Sequence, residues 1–270
     1  MSKRGTGTLN TIYGINTVRE AIGRRPVEYV LVAEGHHSPR IQAIIDACRA
    51  AGVSVRFAPR PALERAAGTP QHQNVVAVSA ARPYDDLEAL VPSGVGAGGL
   101  AQTFLLVVLD GVEDPANLGA VVRTTVAAGA TGIVIPERRA AGLSPAVARS
   151  AAGALEHVKI ARVTNLVRAL MDLKERGLWI YGFEPAASNS YLEVDYAVPC
   201  ALVFGGEGQG IHRLVRESCD RLARIPLRGP VQSLNVSVAA GVVLYEAARQ
   251  RNQHSSERSG RLMKEARLGP

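Results

Sequence analysis

Three segments of this 270-residue chain hold residues whose types and spacing suit chemistry, and each follows an apolar run that reads as a strand. The first, LDGVEDPANLGAVVRTT (109–125), places Asn117 where a helix start wants a capping side chain and Gly119 where something can approach closely. Its Arg123 falls about one and a half turns along, within reach of a group bound at the helix N-terminus. The second, LVFGGEGQGI (202–211), has four glycines in six positions and a single carboxylate, Glu207. A loop so poor in side chains lets a ligand rest on backbone N–H and C=O groups. It is not a dinucleotide fingerprint, because the register through Gly206 and Gly208 needs a glycine where Ile211 stands, nor a Walker loop, because no G-K-[S/T] follows. The third, RIPLRGPVQSLNVSVAAGVVLYEA (224–247), passes through a Gly-Pro turn to a helix start framed by Ser233 and Asn235. Its Ala239, Ala240 and Gly241 make a face small enough for another backbone to pack very close. Taken singly, these features are caps, turns and solvated charges. Together, at the C-terminal edge of a parallel sheet, they are expected to form one site.

The elements that must carry them follow from periodicity. Strands are expected at Phe104 to Leu109, Gly132 to Ile135, Val158 to Val163, Leu178 to Phe183, Ala201 to Phe204 and Leu222 to Ile225. Runs apolar at nearly every position are buried on both faces, which predicts a parallel sheet between helices. The helices are expected at Leu118 to Ala128, Pro145 to Leu155, Leu166 to Arg176, His212 to Cys219 and Leu234 to Arg249. Residues 84–103, with the densest glycine cluster and a proline, read as a linker between this domain, 104–252, and a small α/β domain, 1–83. The small domain is expected to hold strands at Val27 to Ala33, Val53 to Phe57 and Asn74 to Ser79. Its helices are a short run from Pro61 to Ala67 and one capped by Ser38 that presents Ile41, Ile44, Ile45 and Cys48 on one face. Residues 253–270 are polar and basic and are expected to be a disordered tail.

With 47% apolar and 20% charged residues the chain is expected to be globular. No apolar run approaches the roughly 18–20 residues of a membrane span, and MSKRGTGTLN lacks the apolar core of a signal peptide, so a soluble cytoplasmic protein is expected, with no membrane partner. Cys48, Cys200 and Cys219 lie far apart with no C-x-x-C, which supports neither a disulfide framework nor a zinc site. The six histidines show no triad or metal spacing and are expected in packing or surface roles; His72, in the small domain, is a candidate RNA contact. Net charge is +7 and unevenly spread: +6 over residues 1–83 (11 basic, 5 acidic), −3 over 84–248 (14 basic, 17 acidic) and +4 over 249–270 (6 basic, 2 acidic). Basic ends around a mildly acidic centre suit a nucleic-acid-handling protein whose chemistry lies in the middle.

In this order the three segments resemble the motifs of the SpoU/TrmH family of RNA ribose 2′-O-methyltransferases, in the SPOUT superfamily. The matching residues are N-L-G-A-V-x-R-T (Asn117 to Thr124), F-G-G-E-G-x-G-I (Phe204 to Ile211) and I-P-L-x-G-x-x-x-S-L-N-V-S-V-A (Ile225 to Ala239). I-Y-G-I-N-T-V-R-E-A-I (Ile12 to Ile22), Q-H-Q (Gln71 to Gln73) and R-V-T-N-L (Arg162 to Leu166) are similar to the bacterial 23S rRNA guanosine-2′-O-methyltransferase subgroup, so the likeness spans residues 11 to about 251. One departure is Asn74, where that subgroup commonly has glycine.

The resemblance implies a SPOUT methyltransferase domain with a deep trefoil knot, a homodimer, and an N-terminal ribosomal-protein-like domain that grips rRNA. It implies S-adenosyl-L-methionine as cofactor, lying around Gly205, Ile225, Leu227 and Leu234, with no metal, and 23S rRNA or a pre-50S particle as partner. Asn117, Arg123, Glu207, Ser233 and Asn235 would form the polar wall. Arg123 is the family's proposed activator of the 2′-hydroxyl, but a guanidinium with a pKa above about 12 is a poor base. It is better suited to bind the phosphate beside the target and to stabilise alkoxide charge, with Asn117 and Glu207 holding its geometry. Ser233 and Asn235 would organise the cofactor loop. The alternatives are a tRNA 2′-O-methyltransferase or a resistance-type rRNA adenosine methylase of the same family, a non-catalytic RNA-binding protein, and a nucleotide-dependent oxidoreductase.

Overall fold

The computed structural model describes residues 9–35, 38–80, 82–92 and 104–267. These fall into two compact units. One gathers the described residues up to Pro83 with Asp114–Arg123 and Ala141–His157, and the other holds the remainder. The division is therefore not a cut at one point in the chain: two segments beyond residue 83 cluster with the small domain.

The first unit is built on a four-stranded sheet of β1 (Leu9–Tyr13), β2 (Val27–Ala33), β3 (Ser54–Ala58) and β4 (Val75–Ala80), in the order β1-β4-β2-β3. Only the β2–β3 pair is parallel. Three helices accompany it: α1 (Ile15–Ala21), α2 (Pro39–Ala50) and α3 (Arg60–Ala67). The start of α2 follows the expected capping, with the Ser38 hydroxyl accepting the Ile41 N–H at 3.2 Å, Pro39 at the first position, and Ile41, Ile44 and Cys48 buried. Strand β1 was not expected; it pairs along its whole length with β4. The turn before β4 joins the two distant segments of the small domain that carry the family resemblance. Gln73 Oε1 accepts the Ile15 N–H at 2.8 Å, and Gln73 and Asn74 both take left-handed backbone (φ 54° and 62°). That conformation suits glycine, and asparagine is among the residues that tolerate it. His72 is fully buried and its Nδ1 accepts the Asn74 N–H, so this histidine shapes the turn and is not an RNA contact. Burial holds its imidazolium below the ordinary histidine range, and the charge of Arg60 acts the same way.

The second unit carries a seven-stranded sheet, every pair of which is parallel. Its strands are β5 (Leu105–Asp110), β6 (Gly132–Pro136), β7 (Lys159–Val163), β8 (Trp179–Phe183), β9 (Asn189–Ser190), β10 (Cys200–Gly205) and β11 (Arg221–Arg224), in the order β7-β6-β5-β10-β8-β11-β9. Between β4 and the end of the chain come α4 (Leu87–Leu90), α5 (Pro115–Ala127), α6 (Pro145–Ser150), α7 (Leu166–Glu175), α8 (Arg213–Glu217) and α9 (Val236–Arg267). Six expected strands are present within a residue or two; the central ones are apolar on both faces, while β7 and β11 carry exposed charged residues. β5 and β10 are adjacent, with Asp110 in register with Gly205. The strand preceding the first motif is thereby set beside the loop of the second.

Four expectations are corrected. The first part of the supposed linker belongs to the sheet: Asp85 bridges to Ala161 and its carboxylate accepts the Ile160 N–H at 2.9 Å, while Leu90 and Val91 are core residues. The rest of that segment, 93–103, lies outside the described residues. Helix α5 begins at Pro115 and not at Leu118, because Asp114 caps it (Oδ1 to the Ala116 N–H, 2.9 Å) and proline suits the first position, so Asn117 sits inside the helix. The helix expected from Pro145 to Leu155 stops at Ser150, broken by left-handed Ala152 and Gly153, and resumes as a 3₁₀ turn. Finally, α9 runs to Arg267, through most of the tail expected to be disordered; a helix already nucleated extends at low cost when no proline interrupts it.

Candidate active site

A cavity of about 620 Å³ opens at the C-terminal edge of β8 and β10 in the second unit. All four residues expected around a cofactor, Gly205, Ile225, Leu227 and Leu234, line it, as do Glu207, Ser233 and Asn235. Phe183 and Phe204, stacked with ring centroids 5.0 Å apart, add an aromatic wall at the ends of their strands. Asn117 and Arg123 do not line this cavity. They lie on the part of α5 that clusters with the first unit, Asn117 buried and Arg123 exposed with no hydrogen bond or ion pair among the described residues. Gly119, expected to permit close approach, does so for α6: a Cβ there would meet the Ser150 Cβ at 2.4 Å.

The polar wall is organised by Asn235. Its Oδ1 caps α9 by accepting the Ser237 N–H (2.9 Å) and hydroxyl (2.6 Å), which leaves its amide nitrogen to donate to Glu207 Oε1 at 3.1 Å. One side chain thus starts the last helix and aims the loop carboxylate, tying the second motif to the third. The glycines of the loop serve backbone packing. A Cβ on Gly206 would lie 1.8 Å from the carbonyl oxygen of Gly111, and one on Gly205 would lie 2.0 Å from the backbone carbon of Gly210.

Asp110 is the positioning residue that sequence reading missed. It is buried at the end of β5, and its backbone carbonyl accepts the Gly206 N–H (2.7 Å) while its carboxylate accepts the His212 N–H (2.7 Å). Both ends of the glycine-rich loop are therefore pinned to one aspartate. The available signal was a charged residue closing the otherwise apolar run LLVVLD, where burial demands partners.

Other chemistries find no support. Burial pushes the Cys200 thiol up to about 11 and the Cys219 thiol to about 12, so both stay protonated near neutrality and are poor nucleophiles. Among the described residues no group of His, Cys, Asp or Glu is placed to hold a metal, and no helix is long and apolar enough to cross a membrane.

Comparison with known proteins adds a decisive observation: residues 104–245 match the SpoU rRNA Methylase family, and residues 11–85 match the RNA 2′-O ribose methyltransferase substrate binding family. The chain belongs to the SpoU rRNA methylase family. Within the span of that match lie the cavity, its glycine loop and the Asn235–Glu207 pair. Among SpoU relatives, the 23S rRNA (guanosine-2′-O-)-methyltransferase RlmB of Xanthomonas campestris is 42% identical over 89% of this chain and 96% of its own length. YacO of Bacillus subtilis, whose name places it with TrmH family tRNA/rRNA methyltransferases, is 43% identical with the same coverage. The SpoU methyltransferase AviRb of Streptomyces viridochromogenes, solved in complex with AdoMet, superposes with a TM-score of 0.76 at 26% identity, covering 91% of each chain.

Proposed function

We propose that this protein transfers the methyl group of S-adenosyl-L-methionine to the ribose 2′-hydroxyl of a guanosine in 23S rRNA, in the P loop of the peptidyl-transferase centre. The observation that carries the reading is the convergence of seven motif residues from two separate stretches, 205–207 and 225–235, on one cavity. The guanosine named for the Xanthomonas relative and the AdoMet bound in the Streptomyces structure support it.

The residues present fit the cofactor. A cavity of about 620 Å³ is of small-molecule size, its Phe183, Phe204, Ile225 and Leu227 offer apolar surface to a purine, and the glycine loop offers backbone groups. The bound cofactor supplies a methyl group already activated on a sulfonium, which leaves orientation and charge stabilisation to the protein. Gly205, Ile225, Leu227 and Leu234 hold the adenosyl part. Asn235 aims Glu207, and Ser233 shapes the loop that carries them. Arg123 would take the phosphate beside the target and offset negative charge developing on the ribose oxygen, with Asn117 and Glu207 holding its geometry. The deep trefoil knot belongs to the same reading.

The basic residues 1–83 form the rRNA-gripping module, and 104–252 the methyltransferase domain. The enzyme works in the cytoplasm as a homodimer, on 23S rRNA or a pre-50S particle. Support for the dimer comes from α9, where Val238 and Tyr245 are 51% and 58% exposed and, with half-buried Val242, form a stripe at helical spacing.

The test is incubation with radiolabelled S-adenosylmethionine and unmodified 23S rRNA, mapping the methylated ribose by its resistance to alkaline cleavage. Label at one P-loop guanosine, lost in Arg123→Ala, is the expected result. Label in tRNA and not in rRNA would replace this reading with the sister activity.

A further inference from the structure

Beside the glycine loop the second unit holds a chain of three side chains that no motif includes. The Arg139 Nη1 donates to His212 Nε2 at 3.2 Å, and His212 Nδ1 lies 3.0 Å from Asp110 Oδ1. A guanidinium only donates, so Nε2 is the acceptor and the ring proton sits on Nδ1, which lies close to Asp110 Oδ1 without the geometry of a hydrogen bond. The order of groups matters. An arginine used for packing commonly pairs with a carboxylate, which cancels its charge; here the imidazole stands between, so Arg139 is held in place and keeps its full positive charge. Its other guanidinium nitrogens have no partner among the described residues, and neither has exposed Arg138 beside it. Arg139 also adopts left-handed backbone (φ 58°), a conformation unfavourable for a residue with a Cβ and one that tends to persist at functional positions. The cluster adjoins the cavity, since His212 follows Ile211 and Asp110 holds Gly206, both of which line it. In a stretch, 84–248, with net charge −3, a positioned arginine with a second exposed arginine beside it at the rim of the site calls for an anionic ligand.

We infer that Arg139 is an RNA-binding residue of this enzyme, taking a phosphodiester of the substrate strand at the rim of the cofactor cavity, with His212 as its positioning residue. Arg138 adds charge to the same patch. The inference rests on the proposed methyl transfer to RNA for its substrate, but its test has a separate readout.

Arg139→Ala, His212→Ala and His212→Gln are compared with wild type in rRNA methylation kinetics, in filter binding of a 23S rRNA fragment at several salt concentrations, and in calorimetric titration with S-adenosylmethionine. Arg139→Ala is expected to raise KM for RNA about tenfold or more, with most of the loss in KM and not in kcat, while cofactor affinity stays within about twofold. The slope of log affinity against log salt should fall by about 0.7–0.9, the loss of one phosphate contact. His212→Ala should move both in the same direction by less. His212→Gln should restore them, because a glutamine amide oxygen can accept from Arg139 as the ring nitrogen does, a rescue that a merely structural role would not produce. An unchanged salt slope in Arg139→Ala overturns the inference, as does a loss confined to cofactor affinity, which would reassign Arg139 to the carboxylate of S-adenosylmethionine. If wild type methylates no rRNA, the proposed function fails, and the salt slope still decides the role of Arg139.

Discussion

Replacing Gly206 by alanine adds one methyl group, and the structure states what it would meet. The new Cβ would lie 1.8 Å from the Gly111 carbonyl oxygen and 2.5 Å from its carbon. Carbon and oxygen need roughly 3.3 Å, so the two backbones must separate by about 1.5 Å. Neither can rotate away as a side chain would, and the loop cannot drift as a unit because Asp110 holds it at Gly206 and at His212. Overpacking of this kind costs about 1–3 kcal/mol, and a displacement near 1 Å at a site that works by orientation costs on the order of a hundredfold. The expected result is a loss of about two orders of magnitude in S-adenosylmethionine affinity or in kcat/KM, with the melting temperature lowered by roughly 2–12 °C. Gly229→Ala is the matched control: nothing lies within 4 Å of its added Cβ and its backbone is not left-handed, so the same chemical change should leave binding and melting near wild type. Calorimetric titration and thermal melts of the two variants decide the matter. A Gly206→Ala protein that binds the cofactor as wild type does, within about twofold, would refute the argument that this loop is set by backbone contact.

Other consequences can be checked by simpler means. Arg251 donates to the carbonyls of Tyr196, Phe104 and Val198 at 2.8–2.9 Å, so Arg251→Lys, which lacks the planar fork, should lower stability by about 2–4 kcal/mol and the melting temperature by roughly 4–16 °C; an unchanged melt would remove the clamp from the account. Stability should fall at both ends of the pH range. Burial lowers the His72 pKa, so the unfolded chain gains a proton that the native state refuses as pH drops below 6.5, and burial raises Cys200 and Cys219 to about 11 and 12, so the unfolded thiols ionise from about 9 upward while the native ones do not. Thermal melts across pH should show both limbs, the acid one reduced in a folded His72 variant and the alkaline one reduced in Cys200→Ala. Val238→Glu with Tyr245→Glu should convert a dimer to a monomer in light scattering; if the chain is already monomeric, the apolar stripe on α9 has another use.

The sequence alone carried what depends on local pattern. The central strands of the larger sheet were visible because burial on both faces demands unbroken apolar runs, and Ser38 announced α2 because capping is a matter between near neighbours. The residues that line the cavity were legible for a different reason. Gly205, Glu207, Ile225, Leu227 and Leu234 stand in the segments that carry the family resemblance, so the resemblance named them. Misreadings arose where two local rules competed. At α5, Asn117 and Asp114 are both good caps, and the proline after Asp114 settled the choice.

What tertiary structure alone decided is the meeting of residues far apart in the chain. That the run Asp85 to Val91 closes the sheet edge, and is no linker, depends on Ala161 and Ile160 being there to receive it. Burial of His72 follows from a turn of two left-handed residues that composition does not reveal. Above all, Arg139 and His212 are unremarkable where they stand, His212 reading as one more scattered histidine, and Asp110 shows only as a charge at the end of an apolar run. They become a unit because β5 lies beside β10, which puts the end of one strand against the loop of the other. Periodicity reports which face of an element is buried, whereas which strand lies next to which is settled by packing the whole sheet. An aspartate that holds both ends of a loop, and through a histidine an arginine, exists only once that packing is complete.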